Sequence, residues 1–205
     1  MRGYTMGYKF VFDANVPICL DEITFLKETL QFMEELEDTI FMNSLNLYEI
    51  KTNDIRQTLK ESPVCTVIEH DEDAYRNFRS KMLKPARIAA NKEDNVVLQT
   101  DYMTAADYLV SSDFGVINRA YRFRKFFNLE YMEPLTPVRL LEYLHSVNVI
   151  ECKVFLEKSL TLFKVHELGN LHRGIKNEGW TELDVRKRFQ SYKGPIIESI
   201  NEVVQ

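Results

Sequence analysis

The 205-residue chain has few of the features that mark disulfide-bonded, zinc-binding or membrane proteins. Its three cysteines, Cys19, Cys65 and Cys152, form no CxxC pair, and an odd number cannot all pair with one another. They indicate reduced thiols and a cytoplasmic protein. No apolar run approaches the roughly 18 residues of a membrane-spanning helix, and the first residues form no long apolar segment. We therefore expect no secretion signal and no contact with a membrane.

Histidine is scarce, and acidic residues outnumber basic ones. None of the four histidines is spaced from another as two metal ligands on one helical face would be; they are His70, His145, His166 and His172. The net charge of −5 argues against a protein that binds nucleic acid through bulk positive charge. That argument weakens if several acids hold a cation, because the bound charge then offsets theirs.

Short apolar segments rich in β-branched and aromatic residues alternate with amphipathic helical patterns along most of the chain. Such segments predict buried strands, and strands that alternate with helices predict a parallel sheet covered on both faces. The predicted strands are 8–12, 39–42, 64–68, 108–110 and 131–132. The predicted helices are 21–37, one that begins at 43–44, 71–83, one that begins near 94, and one opened by Thr136 and Pro137.

The last third of the sequence has a different pattern. No strand is evident after residue 132, and helical patterns occupy 150–166, a segment that begins near 181, and 195–204. We therefore predict a three-layer α/β/α fold with a central, mostly parallel sheet, followed by C-terminal helices. The predicted domains are residues 1–148 and a helical appendage of residues 149–205.

Several acids lie where ligands bind in folds of this class. Asp13 ends the first predicted strand, and Asp113 follows the strand 108–110. Asp94 begins the helix before that strand, and Glu49 lies on the helix after the second strand. In an open parallel sheet, ligands bind beyond the carboxyl ends of the strands, near the point where strand order reverses. The pattern therefore predicts that these four carboxylates converge.

Four converging carboxylates need a reason to stay together. At about 4 Å and an effective dielectric constant of 20, each close pair costs roughly 4 kcal/mol. Such a cluster persists when it shares protons or binds a hard cation, and oxygen ligands suit Mg²⁺ or Mn²⁺. A metal ion in such a site can activate water and stabilise charge on a phosphodiester.

Four segments resemble the PIN-domain nucleases, over residues 8–145. They are FVFDANV (10–16), SLNLYEI (44–50), DNVVLQTDYMTAADYLVSSD (94–113) and MEPLTPVRLLEYL (132–144). The resemblance implies a PIN-like sheet and catalytic, metal-binding roles for Asp13, Glu49, Asp94 and Asp113. Many members of that family carry a further acid or polar residue two places after the fourth acid, where this chain has Gly115.

Other polar residues beside these acids are candidates for supporting roles. Asn15 and Ser111 stand at strand ends, where they could orient ligands or water by hydrogen bonds. Arg119 and Arg122 follow Asp113 in a basic and aromatic run, and the alternatives there are phosphate contacts or an ordinary solvated helix face. The remaining acids of the stretch 93–113 are expected to be structural: Glu93 supports the start of a helix, while Asp101 and Asp107 face solvent.

These patterns predict a metal-dependent endoribonuclease that hydrolyses phosphodiester bonds in single-stranded or unpaired RNA, with Mg²⁺ or Mn²⁺ and no organic cofactor. A homodimer is possible. The first alternative is a catalytically silent PIN-like module that binds RNA or protein in a larger assembly. The second is a phosphatase of the haloacid dehalogenase type, since Asp13 lies at a strand end. That reaction needs a second Asp as the general acid at the position where this chain has Asn15.

Overall fold

The computed structural model describes residues 7–89 and 91–162. The chain divides into two compact units, Met1–Thr136 and Pro137–Gln205. The predicted boundary between residues 148 and 149 stays a prediction. The patterns predicted near 181 and at 195–204 lie outside the described residues.

The first unit is built on a sheet of five parallel strands. Their order is β3-β2-β1-β4-β5, so β1 lies at the centre. The strands are β1 (Lys9–Phe12), β2 (Thr39–Asn43), β3 (Cys65–Ile68), β4 (Tyr108–Val110) and β5 (Glu133–Leu135). Both faces of the central strand are covered: side chains alternate along a strand, and Phe10, Val11 and Phe12 are all buried. The three-layer α/β/α class with a parallel sheet is confirmed.

Seven α-helices and one π-helical segment connect the strands of this unit in its described residues. They are α1 (Asn15–Glu22), α2 (Leu26–Glu35), α3 (Ser44–Glu49), α4 (Asn53–Glu61), α5 (Glu72–Phe78), the π-helical segment Arg79–Leu83, α6 (Lys92–Thr104) and α7 (Phe114–Phe127). Asn43 caps α3 by accepting a hydrogen bond from the backbone N–H of Leu45, as its sequence position predicted.

Two of the predicted elements differ in the structure, and one helix was not predicted. The single helix predicted at 21–37 is wrong, because the chain breaks at Thr24, which has a φ of 53°, and two helices lie on either side. Helix α4 was not predicted, since only Ile55 and Leu59 of it are buried. The last strand begins at Glu133, one residue after the segment predicted for it.

The described part of the second unit contains α8 (Pro137–Ser146) and α9 (Cys152–Leu162). Pro137 stands at the first position of α8, as predicted, where its missing N–H costs no helical hydrogen bond. The His145 ring stacks on Phe155 with the ring centroids 5.3 Å apart, and its Nδ1 lies 3.1 Å from the Ile150 carbonyl oxygen. The two helices therefore pack against each other through an aromatic pair. Within the described ranges of both units, every helix is too short or too polar to span a membrane.

Helix α6 is buried on all sides over seven consecutive residues, Asn95–Asp101. The prediction that Asp101 faces solvent is therefore wrong. Asp101 is 0% exposed, and neither carboxyl oxygen has a hydrogen-bond partner within the described residues. Burial raises its pKa well above the usual value, and the charge of Asp107 raises it further. Burial therefore favours the neutral form of this carboxyl group.

The replacement Asp101→Asn should change how the free energy of unfolding depends on pH. The folded pKa lies above the unfolded one, so the wild type loses stability as pH rises between them. Asparagine has the same shape and does not titrate. The free energy of unfolding of the variant should therefore rise relative to that of the wild type as pH increases, by at most about 1.4 kcal/mol per pH unit. Urea unfolding between acid and alkaline pH measures this. Asp54→Asn, at an exposed position of α4, is the control, and equal pH slopes for the two variants would contradict the assignment.

Candidate carboxylate site

The site lies where the order of the strands reverses. From β1 the sheet runs to β2 and β3 on one side and to β4 and β5 on the other. Phe12 pairs with Val110, and the backbone N–H of Asp13 donates to the Val110 carbonyl over 3.0 Å. The residues that follow the two strands, Asp13 and Ser111, are thereby placed side by side. This edge is where parallel α/β sheets bind their ligands.

Asp13 is buried, and protein groups hold both of its carboxylate oxygens. Its Oδ1 accepts a hydrogen bond from the Ala14 N–H over 2.7 Å. Its Oδ2 accepts two more, from Asn15 Nδ2 over 2.8 Å and from Ser111 Oγ over 2.6 Å. Three donors around one carboxylate fix its orientation and favour its ionised form.

Asn15 and Ser111 form a small network beneath Asp13. The Ser111 hydroxyl accepts hydrogen bonds from the Asp113 N–H over 3.0 Å and from Asn15 Nδ2 over 3.3 Å. The Asn15 Oδ1 accepts a hydrogen bond from the Ser112 N–H over 2.9 Å. The two predicted supporting residues therefore orient Asp13 and join the end of β1 to the loop after β4.

The pKa of Asp13 is raised to about 6, above its ordinary value near 3.8. Burial is the largest cause, and the charges of Asp94 and Glu49 add to it. The hydrogen bonds from Ser111 and Ala14 act in the opposite direction. A carboxyl group with a pKa close to neutrality can change its protonation state with small changes in its surroundings, which is typical of functional sites.

Glu49 is the last residue of α3 and is exposed. Partial burial raises its pKa, and the charges of Glu93 and Asp94 raise it further, against a hydrogen bond from Asn46. Asn46 is buried, and its Nδ2 donates to Glu49 Oε2 over 3.1 Å and to the Glu93 carbonyl over 3.3 Å. Asn46 thus ties α3 to the start of α6.

Asp94 lies in the first turn of α6, which begins two residues earlier than this acid. Its backbone N–H donates to Asn91 Oδ1, the cap of the helix, over 2.8 Å. Its Oδ2 accepts a hydrogen bond from Arg119 Nη2 in a half-buried ion pair. Burial raises the pKa of Asp94, Arg119 lowers it, and the charges of Asp113 and Glu93 raise it.

Asp113 is the N-terminal cap of α7, and its Oδ1 accepts a hydrogen bond from the Gly115 N–H over 2.6 Å. A Cβ atom added to Gly115 would lie 2.9 Å from that oxygen and 3.1 Å from Arg119 Nη1. The Arg119 guanidinium therefore occupies the space that a side chain at residue 115 would fill. It lies beside Asp113 as well as Asp94.

The structure thus brings all four predicted acids to one edge of the sheet, close enough for their charges to affect one another. Asn15, Ser111 and Arg119 lie among them. Arg122 does not: it is exposed, and its Nη2 donates to the Arg87 carbonyl oxygen over 3.3 Å. The metal-binding and catalytic roles of the acids remain predictions.

The donor atoms of the site suit a divalent metal ion, but their arrangement in the described part of the structure does not form a metal site. The four donors are carboxylate oxygens, which suit Mg²⁺ and Mn²⁺. Among residues 7–89 and 91–162, however, no three His, Cys, Asp or Glu side chains are grouped as a metal ion would need. Instead, carboxylate oxygens of the site bond to other protein groups. The main example is the ion pair of Arg119 with Asp94. Binding a cation here requires these side chains to move.

Two residues of the site were not found from the sequence. Asn46 precedes Glu49 by three positions, so the two share a helix face, and that spacing was the available signal. Asn91 precedes Asp94 by three positions, which is the spacing of a helix cap to the N–H it accepts. The ion pair of Arg119 with Asp94 spans 25 positions, and nothing local in the sequence indicates it.

A comparison of the chain with protein-family models, with curated proteins and with solved structures finds no match in any of the three. The site therefore has to be interpreted from its own geometry. The site is a carboxylate cluster at the point where strand order reverses in an open parallel α/β sheet.

The replacement Ser111→Ala should raise the pKa of Asp13 above its present value of about 6. The Ser111 hydroxyl donates to the ionised carboxylate and so lowers its pKa. Without it, fewer hydrogen bonds oppose the rise in pKa caused by burial and by the neighbouring charges. Carbon-detected NMR of the carboxyl group during a pH titration measures the change. Ser62→Ala, at the end of α4, is the control. An unchanged or lower Asp13 pKa in Ser111→Ala would contradict the role of this hydrogen bond.

Proposed function

We propose that the protein is a divalent-metal-dependent endoribonuclease of the PIN type. The observation that supports this most lies at the reversal point of the parallel sheet. Burial raises the pKa of Asp13 most, the charges of Asp94 and Glu49 raise it further, and the charge of Asp94 also raises the pKa of Glu49. Such repulsion destabilises the empty arrangement, and a bound cation would relieve it. The choice of RNA as the substrate rests on the resemblance of the four segments described above.

In this proposal Asp13, Glu49, Asp94 and Asp113 hold one or two Mg²⁺ or Mn²⁺ ions. The metal supplies a water of lowered pKa and positive charge beside the scissile phosphate. Asp13 is the fixed member, because Ser111, Asn15 and the Ala14 N–H already orient it. Glu49 and Asp113 are exposed and reach the site from α3 and the start of α7.

Arg119 has a second role in the proposal. It now neutralises Asp94, and its buried Nε–H has no hydrogen-bond partner within the described residues. If Asp94 held a cation instead, the Arg119 guanidinium would be free to bind a phosphate. Guanidinium groups bind phosphate oxygens through paired hydrogen bonds. Arg119 would then position the phosphate and balance its charge.

The proposal places the enzyme in the cytoplasm. Thiols such as those of Cys19, Cys65 and Cys152 stay reduced in that compartment.

One observation favours a second candidate, a catalytically silent module that binds RNA or protein. The ion pair of Arg119 with Asp94 already supplies the positive charge that a metal ion would provide. A chain that uses this arginine as a permanent counterion would keep the four acids together without a metal. The phosphatase alternative has less support, because the Asn15 amide donates a hydrogen bond to Asp13 and is too weak an acid to protonate a leaving group.

The replacements Asp13→Asn and Asp113→Asn should each abolish cleavage of a single-stranded RNA and weaken Mn²⁺ binding by at least about tenfold, since each removes one charged ligand. Calorimetric titration with Mn²⁺ and gel analysis of RNA incubated with Mn²⁺ or EDTA measure the two effects. Asp54→Asn is the matched control on α4. Cleavage that survives both substitutions, or that proceeds in EDTA, would rule out the proposed nuclease.

The replacement Arg119→Gln distinguishes the two candidate functions. If the site takes a metal ion, losing the competing guanidinium should tighten Mn²⁺ binding several-fold, because Asp94 becomes free and a repelling charge is removed. If the arginine is a permanent counterion, the variant should bind no Mn²⁺ and should lose stability as the acids repel one another. Calorimetric titration and thermal unfolding with and without Mn²⁺ measure these outcomes. Arg139→Gln, in the second unit, is the control.

A further inference from the structure

One segment of this acidic protein is strongly basic. Residues 74–92 contain no Asp or Glu and six Lys or Arg residues, in a chain whose net charge is −5. The six are Arg76, Arg79, Lys81, Lys84, Arg87 and Lys92. The segment covers the end of α5, the π-helical segment and the residues leading to α6. It is a concentrated positive surface that the proposed carboxylate chemistry does not use.

The π-helical turn gathers part of this charge around one surface pocket. The pocket has a volume of about 260 Å³ and is lined by Arg76, Arg79, Ser80 and Lys84. In a π-helix the hydrogen bond runs between residues five apart, and here the Lys84 N–H donates to the Arg79 carbonyl over 3.0 Å. This arrangement brings Arg79 and Lys84 to the same pocket. π-Helical turns are frequent at functional sites.

The charges of the pocket are only partly neutralised by the protein. Arg76 lies 3.4 Å from a Glu72 oxygen and 3.8 Å from an Asp73 oxygen, and its side chain is largely exposed. Arg79 and Lys84 are exposed and form no ion pair with any acid in the described part of the chain. The pocket therefore offers two cations and a serine hydroxyl to an external anion.

The basic segment also reaches toward the carboxylate site. Arg122 of α7 donates a hydrogen bond to the carbonyl oxygen of Arg87, near the end of the segment. Arg122 lies one helical turn beyond Arg119, which pairs with Asp94. Arg122 therefore joins the basic segment to α7, the helix whose Arg119 pairs with Asp94. A flexible polyanion could bind at both places at once.

A second pocket beside the same segment indicates which polyanion fits. It has a volume of about 340 Å³, and its lining includes Phe78, Met82, Gln99 and Tyr102. Gln99 is buried, and its side-chain carbonyl oxygen accepts no hydrogen bond from the described residues. The half-buried ring of Tyr102 beside an unpartnered acceptor suits an unpaired nucleobase, which stacks and offers N–H donors at its edge. An acidic peptide would not use these features.

We propose that the pocket of Arg76, Arg79, Ser80 and Lys84 binds backbone phosphates of single-stranded RNA, and that the neighbouring pocket around Phe78, Gln99 and Tyr102 takes a base. The proposal deepens the proposed nuclease function, because it names the surface that holds the substrate away from the carboxylates. Guanidinium, ammonium and hydroxyl groups are all phosphate ligands, and phosphate contacts fix a strand in place without reading its sequence.

The test is the double variant Arg79→Glu/Lys84→Glu, compared with Lys27→Glu/Lys51→Glu. All four positions are exposed, and each variant changes the net charge equally. Binding of a short fluorescent single-stranded RNA is measured by anisotropy in EDTA over a range of salt concentrations. We expect the first variant to bind about tenfold more weakly or worse, and the salt dependence to fall by about 0.7 for each phosphate that the variant no longer neutralises. The control should bind nearly as the wild type does.

The outcomes separate this inference from the proposed activity. If only Arg79→Glu/Lys84→Glu loses RNA binding, the pocket is supported. This holds even if the wild type cleaves no RNA, and in that case the nuclease proposal alone fails. Metal-dependent cleavage whose KM is unchanged in that variant overturns the pocket and leaves the nuclease proposal standing. Equal weakening in the control variant, or tighter binding of an acidic peptide than of RNA, also overturns it.

Discussion

The parallel pairing of β1 with β4 is the constraint on which the site depends. Its register sets Phe12 opposite Val110, so the chain leaves the two strands at Asp13 and Ser111 together. The hydroxyl of Ser111 then holds a carboxylate that burial would otherwise force to take up a proton. A slip of one residue in this pairing would turn the side chains of the shifted strand to the other face of the sheet and break the hydrogen bond from Ser111 to Asp13. Fold and site are therefore specified by the same few backbone hydrogen bonds.

Charge balance decides how the remaining acids are arranged. Glu49, Asp94 and Asp113 come from three different helices, and their repulsion is opposed by Arg119, which lies beside two of them. Gly115 leaves space beside this guanidinium, since a Cβ atom there would lie 3.1 Å from Arg119 Nη1. The glycine that departs from the PIN pattern is thus coupled to the arginine. Both candidate functions follow from this pair, because the arginine is either a counterion that a metal displaces or a permanent substitute for one.

The sequence predicted the parts of the structure that local patterns determine. Short apolar segments indicate four of the five strands and fall just short of the fifth, and strand-end positions indicate the edge at which Asp13 and Ser111 lie side by side. Long-range features were not accessible: the Arg119 ion pair joins two helices, and Thr24 breaks a pattern that is typical of one continuous helix. For Asp101 the sequence favours a position in solvent because buried acids are rare, and only the packing around α6 reveals its burial.

Whether the four carboxylates form a site for a divalent cation is tested most directly by a crystal structure of the protein grown with Mn²⁺, with anomalous data collected to locate the metal. We predict an anomalous peak bounded by Asp13, Glu49, Asp94 and Asp113, with Arg119 turned away from Asp94. An ordered carboxylate cluster without a peak, with the ion pair of Arg119 and Asp94 intact at saturating Mn²⁺, would contradict the proposed cation site.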